Sequence, residues 1–458
     1  MERELSVRKL YLGIQDKKIV EGDVVKMYGW VRSARNNGSV GFIEFNDGTH
    51  FKGVQLVFVK EGGCFEAASN IKYGSAIEFK GKVKLTPTMK QPFEIELVEI
   101  SLVGDCAEDY PLQKKKHSFE FLRDICYLRP RANTFQALYR VRNTLAYAIH
   151  KYFQEHGFIY VNTPIITGND AEGAGEVFKV VVDPKNPEGF FKAKAVLTVS
   201  GQLHVEPFAL AFRDVYTFGP TFRAENSNTP RHANEFWMIE PELAFADLND
   251  NMDCIESCLK YIIKYVLDNC KDEMQFFDSF IEKGTIDKLN KVISSPFKKM
   301  TYSEGIEYLL KAKEAGHKFE YNNIYWGMDL QSEHERYLTE EIAKGPMFLT
   351  DFPKEIKAFY MKRNKDNKTV AACDLLVPTE GEIVGGSQRE DDYDVLKNIM
   401  IDKGNAEELD WYLNLRRYGG CPHSGFGLGF DRLLMYITGM KNIRDTEPYP
   451  RVPGSLKY

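Results

Sequence analysis

The chain has 458 residues, 43% of them apolar and 28% charged, with a formal net charge of −6; this suits two or three domains with full cores and argues against indiscriminate affinity for nucleic acid. No window approaches the roughly eighteen uninterrupted apolar residues of a membrane span. The opening MERELSVRKLYLG lacks the apolar core of a secretory signal and the acid-free make-up of a transit peptide, so no membrane partner and a cytoplasmic location are expected. The eight cysteines form no CxxC arrangement, which predicts neither disulfides nor structural zinc.

From Asp23 to about Gly104 the pattern alternates apolar and polar residues through VVKMYGWVRSAR, GFIEFND, VQLVFV, AIEFKGKVKL and FEIELVEISLV, with turns at Asn36-Asn37-Gly38 and Asn46-Asp47-Gly48. Five short strands suit a small barrel, of either the OB or the SH3-like kind. Alternation alone leaves open whether Phe42 faces the core or the outside. The next stretch carries Pro111, the run Lys114-Lys115-Lys116 and then Arg123, Arg129 and Arg131, either a basic contact surface or a solvated face. Phe135, Leu138, Val141, Leu145, Ile149 and Phe153 then fall at helical spacing, and His156-Gly157 ends the helix. FIYVNTPII follows as a strand interrupted by Pro164.

The loop GNDAEGAGEVF, residues 168–178, is glycine-rich and acidic but lacks the GxxxxGK[ST] of a phosphate loop. LTVSGQLHVEPFA places Ser200, Gly201 and Gln202 on an otherwise apolar run, a ligand contact or a strand-to-helix turn. Residues 215–243, VYTFGPTFRAENSNTPRHANEFWMIEPEL, read as strand, polar loop and strand. Arg223 and Glu225 are expected on one face of the outgoing strand, Glu240 and Glu242 on one face of the returning one, with Arg231 and His232 at the turn. Such a hairpin suits a ligand carrying phosphate together with ammonium or amide groups; its other reading is a surface hairpin with solvated ion pairs. A helix is predicted over residues 247–269, and helical tendency continues to about residue 320. In AACDLLVPTEGEIVGGSQRE, Asp374 and Glu382 are strand-borne carboxylates followed by glycines, a pattern compatible with Mg²⁺ completed by phosphates and water. Last, GFGLG runs into a helix headed by Asp431-Arg432, and its glycines suggest a floor on which a flat ligand can lie.

The hairpin, in the form FRAENSNTPRH…EFWMIEPE, resembles motif 2 of the class II aminoacyl-tRNA synthetases, in their asparagine and aspartate branch. The helix and strand at about 135–166 resemble motif 1, the family's dimer-forming element, and about 425–440 resembles motif 3. The resemblance implies an α+β chain: an OB-type anticodon-binding barrel over 1–104, a hinge over 105–132, and a catalytic domain over 133–458 whose antiparallel sheet is flanked by helices. Its implied reaction is ATP-dependent adenylation of an amino acid, then transfer to the 3′ end of a tRNA, with Mg²⁺ as cofactor and a homodimer as the assembly. Carried onto this chain, Arg223 and Arg432 are the catalytic arginines, and Glu225, Arg231, His232, Phe236 and Glu382 join them on ATP. Glu172, Ser200, Gln202, Glu240 and Arg389 hold the amino acid, and Asp374 and Glu382 hold the metal. Phe42 stacks on an anticodon base while Gln55 and Glu94 read base edges.

The aspartate branch reads its substrate's side chain with an Arg and a Lys. Arg389 supplies the first here, but Val205 stands at the lysine's place and Glu240 where that branch has Asp. A side-chain amide, with one acceptor and two donors, satisfies Arg389 and Glu240 together, whereas a carboxylate meets Glu240 with like charge. Asparagine and tRNA(Asn) are therefore the expected substrates. The rivals are an aspartate-specific or relaxed enzyme, a synthetase-derived asparagine synthetase, which would resemble the catalytic domain alone, and a synthetase-derived RNA-binding protein without charging activity. Two residues depart from the pattern. Asp431 replaces a more usual Glu and is expected to matter little, since it faces the helix start; His204 replaces Asn and is expected to pack beneath the pocket.

Overall fold

The structure is a computed structural model that describes residues 5–89, 91–169 and 176–458. The chain divides into two compact units, Met1–Gln136 and Ala137–Tyr458.

In the first unit, helix α1 (Val7–Gln15) starts at Ser6, whose hydroxyl accepts from the Lys9 amide. Strands β1 (Val24–Asn36), β2 (Val40–Asn46) and β3 (Val54–Val59) follow, then the short α2 (Phe65–Ser69), β4 (Ala76–Leu85) and β5 (Phe93–Gly104). The strands close into a barrel in the order β1-β2-β3-β5-β4, with β3 and β5 parallel. Strict alternation fills the barrel: Val25, Met27, Val31, Ile43, Phe45, Leu56, Ile77, Phe79 and Ile95 form its buried core. Phe42 is therefore not a core residue, because Ile43 and Phe45 take the inward positions and period-two geometry turns Phe42 outward. The short α3 (Phe119–Asp124) lies in the segment expected as a hinge, which belongs to this compact unit.

Helix α4 (Asn133–Glu155) begins the larger architecture, and Gly157, at φ +83°, turns the chain after it. The strand expected over FIYVNTPII splits into β6 (Ile159–Tyr160) and β7 (Ile166–Thr167). They pair in different sheets, β6 with β9 (Asp214–Phe222) and β7 with β8 (Val196–Leu197), since Pro164 between them has no amide to donate to a ladder. After α5 (Gln202–Phe212) come β9 (Asp214–Phe222) and β10 (Glu235–Ala244), then helices α6 (Leu248–Asn269), α7 (Lys271–Phe280) and α8 (Thr285–Ser294). β11 (Lys298–Thr301), α9 (Tyr302–Glu314), α10 (Ser332–Tyr337), β12 (Met347–Pro353), β13 (Thr369–Val377) and β14 (Gly381–Gln388) continue the unit, and α11 (Tyr393–Lys403), α12 (Asp410–Asn414), β15 (His423–Gly429), α13 (Phe430–Thr438) and α14 (Ile443–Thr446) complete it.

Among the described residues the main sheet has eight strands, ordered β11-β12-β13-β14-β15-β10-β9-β6. Its six central strands are antiparallel, while β11 and β6 join the two edges in parallel. α6 packs on β13, β14 and β15 through Met252, Ile255, Leu259, Ile262, Ile263 and Val266, spaced as one helical face demands. Every residue of β13 is buried, so this strand is covered on both sides and its one carboxylate, Asp374, is held inside the protein.

Candidate active site

The sheet's middle strands place charged side chains over a strip of glycines. Asp374 on β13 lies in register with Gly385 on β14, which pairs with Gly427 on β15. A Cβ on Gly385 would lie 3.0 Å from Glu382 Oε1 and 3.6 Å from Asp374 Oδ1, so the two acidic groups converge above that glycine. One row along, Glu242 on β10 and Ser387 on β14 flank Gly425, where a Cβ would come within 2.2 Å of the Glu242 carboxylate. Gly425 thus serves Glu242 rather than a ligand, which corrects the expectation that all glycines of this strand exist to receive a flat substrate. Gly427 and Gly429 do face the open space.

That space is an open cleft of about 1250 Å³, solvent at its mouth included. Its walls bring together twelve of the residues expected at the site: Ser200, Gln202, Arg223, Glu225, Arg231, His232, Phe236, Glu240, Asp374, Glu382, Arg389 and Arg432. Glu172 lies outside the described residues. Val205 is fully buried but sits in a small apolar cluster with Val161, Ala209 and Val215, behind the wall rather than on it. His204 packs its ring against Trp411, 5.7 Å between centroids, and burial lowers its pKa.

At one end of the cavity, Arg223 and Glu225 lie beyond the last residue of β9, Phe222, rather than on the strand as expected. The ladder stops because the Asn234 side chain donates to the carbonyls of both Arg223 and Glu225 (2.7 and 2.9 Å), while the Ala224 amide turns away to Glu176. The Arg223 guanidinium lies over the Phe236 ring, 5.5 Å from its centroid. Arg432 donates to the Glu382 carbonyl at 3.2 Å, and Arg231 reaches the Thr379 carbonyl in the β13–β14 turn. Burial, with Arg432 beside it, lowers the His232 pKa, so this end presents guanidinium charge and a neutral imidazole. Asp431 is buried, pairs with Arg142 of α4 and accepts weakly from the Trp237 amide at 3.4 Å. It ties α4 to α13, a larger part than was expected of it.

In the middle, Lys357 donates to Asp374 at 2.7 Å. Burial alone would pull Lys357 down, but Asp374 and Glu382 outweigh it and hold the ammonium above its usual range. Burial, reinforced by Glu382, raises Asp374 in spite of Lys357, and burial beside Glu382 also pushes Glu335 up to about 7. The carboxylates therefore repel one another, a strain that a divalent cation relieves. Among the described residues no group of three or more His, Cys, Asp or Glu side chains is arranged to enclose a metal alone, so Asp374 and Glu382 fit a cation that takes its other ligands from phosphate and water.

At the far end, Glu240 accepts from the Ser200 hydroxyl and from the Gly201 amide at 2.9 Å. Arg389 is buried and donates to Glu242 through both Nε and Nη2, and to the Ser387 hydroxyl at 2.8 Å. Such a two-pronged contact needs an ionised Glu242 and fixes the guanidinium plane. Sequence patterns did not reveal Lys357, Glu335 or the buried set Glu206, Tyr412, Arg416 and His423 behind Gln202. A carboxylate one helical turn after Gln202 was the only signal, and it also describes an ordinary exposed helix.

On the barrel, Arg35 lies over the Phe42 ring at 4.7 Å, and Gln55 donates to Glu94 at 3.1 Å. All three expected residues are on the outer surface, Gln55 and Glu94 with their polar ends already engaged with each other.

Residues 119–453 match the family model described as tRNA synthetases class II (D, K and N), and residues 17–103 match an OB-fold nucleic acid binding domain. The chain is 55% identical to the asparagine--tRNA ligase of Clostridium botulinum (strain Eklund 17B / Type B), covering 100% of both chains. Among solved structures it resembles the asparaginyl-tRNA synthetase of Pyrococcus horikoshii complexed with asparaginyl-adenylate, at 32% identity, a TM-score of 0.87 and 100% coverage of both. It also resembles the Entamoeba histolytica asparaginyl-tRNA synthetase in complex with asparaginyl-adenylate, at 28% identity, a TM-score of 0.83 and coverage of 97% and 98%. The chain belongs to the class II tRNA synthetases, as an N-terminal OB-fold barrel joined to the family's catalytic domain, and is a ligase.

Proposed function

We propose that the chain joins L-asparagine to ATP as asparaginyl-adenylate and then transfers the asparaginyl group to the 3′ end of tRNA(Asn). The single observation that carries the choice of amino acid is the far end of the cavity, where Glu240 and a pinned Arg389 line one wall. Among the described residues the cavity's one lysine, Lys357, is committed to Asp374. An amide gives its oxygen to Arg389 and its NH₂ towards Glu240, whereas a carboxylate finds no second cation there. ATP–pyrophosphate exchange driven by asparagine and not by aspartate is the expected result; equal exchange with both would remove Glu240 from recognition.

In the first step the substrate carboxylate attacks the α-phosphorus and pyrophosphate leaves, so no general base is needed. Charge on the phosphoryl oxygens is met by Arg223 and Arg432. Asp374 and Glu382 would hold Mg²⁺, which when bound neutralises phosphate charge and orients the triphosphate. Phe236, with Arg223 already over its ring, offers the face for adenine, and Glu225, Arg231 and His232 flank the triphosphate path. Gln202 and Ser200 hold the amino-acid end, with Glu172 as the carboxylate for its ammonium. In the second step a ribose hydroxyl of the terminal adenosine attacks the adenylate carbonyl and AMP leaves.

The barrel reads the anticodon through Phe42, Gln55 and Glu94, and the domain limits 1–104, 105–132 and 133–458 follow from that division of labour. A homodimer through motif 1 is supported by Ile159, Ile165 and Ile166, each 43–45% exposed, apolar surface that a second copy would cover. No helix among the described residues is long and apolar enough to cross a membrane, and we place the enzyme in the cytoplasm, where its tRNA is.

A further inference from the structure

Behind the amino-acid end of the cavity, α5 carries a carboxylate that no solvent reaches. Glu206 is 0% exposed. Its Oε1 accepts from His423 Nε2 at 2.7 Å and Arg416 Nη2 at 3.1 Å, its Oε2 from Gln202 Nε2 at 3.3 Å, and the Tyr412 hydroxyl lies 3.0 and 2.7 Å from the two oxygens. Burial alone would raise its pKa, but Arg416 and His423 hold the carboxyl well below its usual range. An ionised carboxylate can only accept. The amide nitrogen of Gln202 must therefore face Glu206, and the amide oxygen is the end left for the cavity that Gln202 lines. An oxygen there is a partner for ammonium and not for carboxylate.

The same carboxylate balances charge. Arg389 is paired with Glu242 and Arg416 with Glu206, on which His423 also sits, and Glu240 adds a third buried carboxylate at this end of the cavity. Arg389 feels the charge of Glu206 as well as that of its direct partner. It thus offers N–H donors to the cavity with no surplus positive charge, a setting that suits a neutral acceptor better than an anion.

We infer that Glu206 is a positioning residue that acts on substrate choice twice: it turns the Gln202 carbonyl oxygen towards the substrate's ammonium, and it cancels positive charge around Arg389 so that a side-chain amide is preferred to a carboxylate. This rests on the asparagine reading above, which the wild-type exchange assay tests by itself.

The experiment is ATP–pyrophosphate exchange by the full chain, with asparagine and with aspartate, on Glu206→Gln and on the double variant Glu206→Gln/Arg416→Gln, each checked by melting temperature. Glu206→Gln is expected to raise KM for asparagine about tenfold with kcat within about threefold and KM for ATP unchanged. It should also lower the asparagine-to-aspartate ratio of kcat/KM by about tenfold or more, because Arg416 loses its counter-charge. The double variant restores charge balance but not the orientation of Gln202; its ratio should return towards wild type while KM for asparagine stays raised. An unchanged ratio in a folded single variant overturns the charge-balancing role, and a wild-type KM for asparagine in the double variant overturns the orienting role. Should the single variant not fold, the double variant decides alone: a raised KM for asparagine with an unchanged KM for ATP supports the inference, and an unchanged KM for asparagine overturns it.

Discussion

Gly201 has no room for a side chain. A Cβ there would lie 2.6 Å from Thr163 Oγ1, 2.9 Å from Thr217 Cγ2 and 3.1 Å from Glu240 Oε2, and both threonines are short, branched side chains that cannot swing aside. Its amide also donates to Glu240. Gly201→Ala should therefore displace Glu240 more than it harms the fold. Overpacking of this kind costs about 1–3 kcal/mol, and we expect a KM for asparagine at least tenfold higher, with KM for ATP near wild type, in exchange kinetics. At this scale the long, ordered motifs made legible which residues share the cavity, among them Arg223, Arg432, Glu240 and Arg389. Glu206 was not legible, since its partners Tyr412, Arg416 and His423 stand some two hundred positions away and meet it only through the fold.

Helix α4 lies against β6 and β9 through an aromatic group centred on His150. Its Nδ1 is 2.8 Å from the Tyr216 hydroxyl, and the rings of Tyr160, Tyr216 and Phe218 lie 5.1, 5.8 and 5.3 Å away. Burial lowers the His150 pKa below its ordinary 6.5, so the unfolded chain binds the proton more readily than the folded one. The stability that follows is fully present above about pH 6.5 and is lost as pH falls towards the folded pKa. One such group changes stability by at most about 1.4 kcal/mol per pH unit. His150→Gln should flatten the fall in melting temperature between about pH 7 and pH 5; an unchanged slope would assign the acid sensitivity to other groups. The elements themselves were largely readable, because α4, α6 and the barrel strands carry unbroken periodicity. Their ends were less so: Pro164 divided one expected strand between two sheets, and Asn234 ended β9 before Arg223 through side-chain bonds that no periodicity encodes.

At the scale of the whole molecule, the chain forms two compact units, and the proposed division of chemistry and RNA reading between them is open to test. Phe42 is turned out of the barrel core, with Arg35 over one part of its ring. A base stacked on such a ring contributes about 1–3 kcal/mol. Phe42→Ala should leave asparagine-dependent ATP–pyrophosphate exchange within about twofold of wild type, since every described residue of the cavity wall belongs to the second unit. Aminoacylation of tRNA(Asn) should instead show a KM for tRNA about five- to hundredfold higher, following that stacking energy. Unaltered charging would move the anticodon contact to another face of the barrel. A parallel loss of exchange would overturn the proposed division of labour, because the barrel residue would then support the amino-acid site.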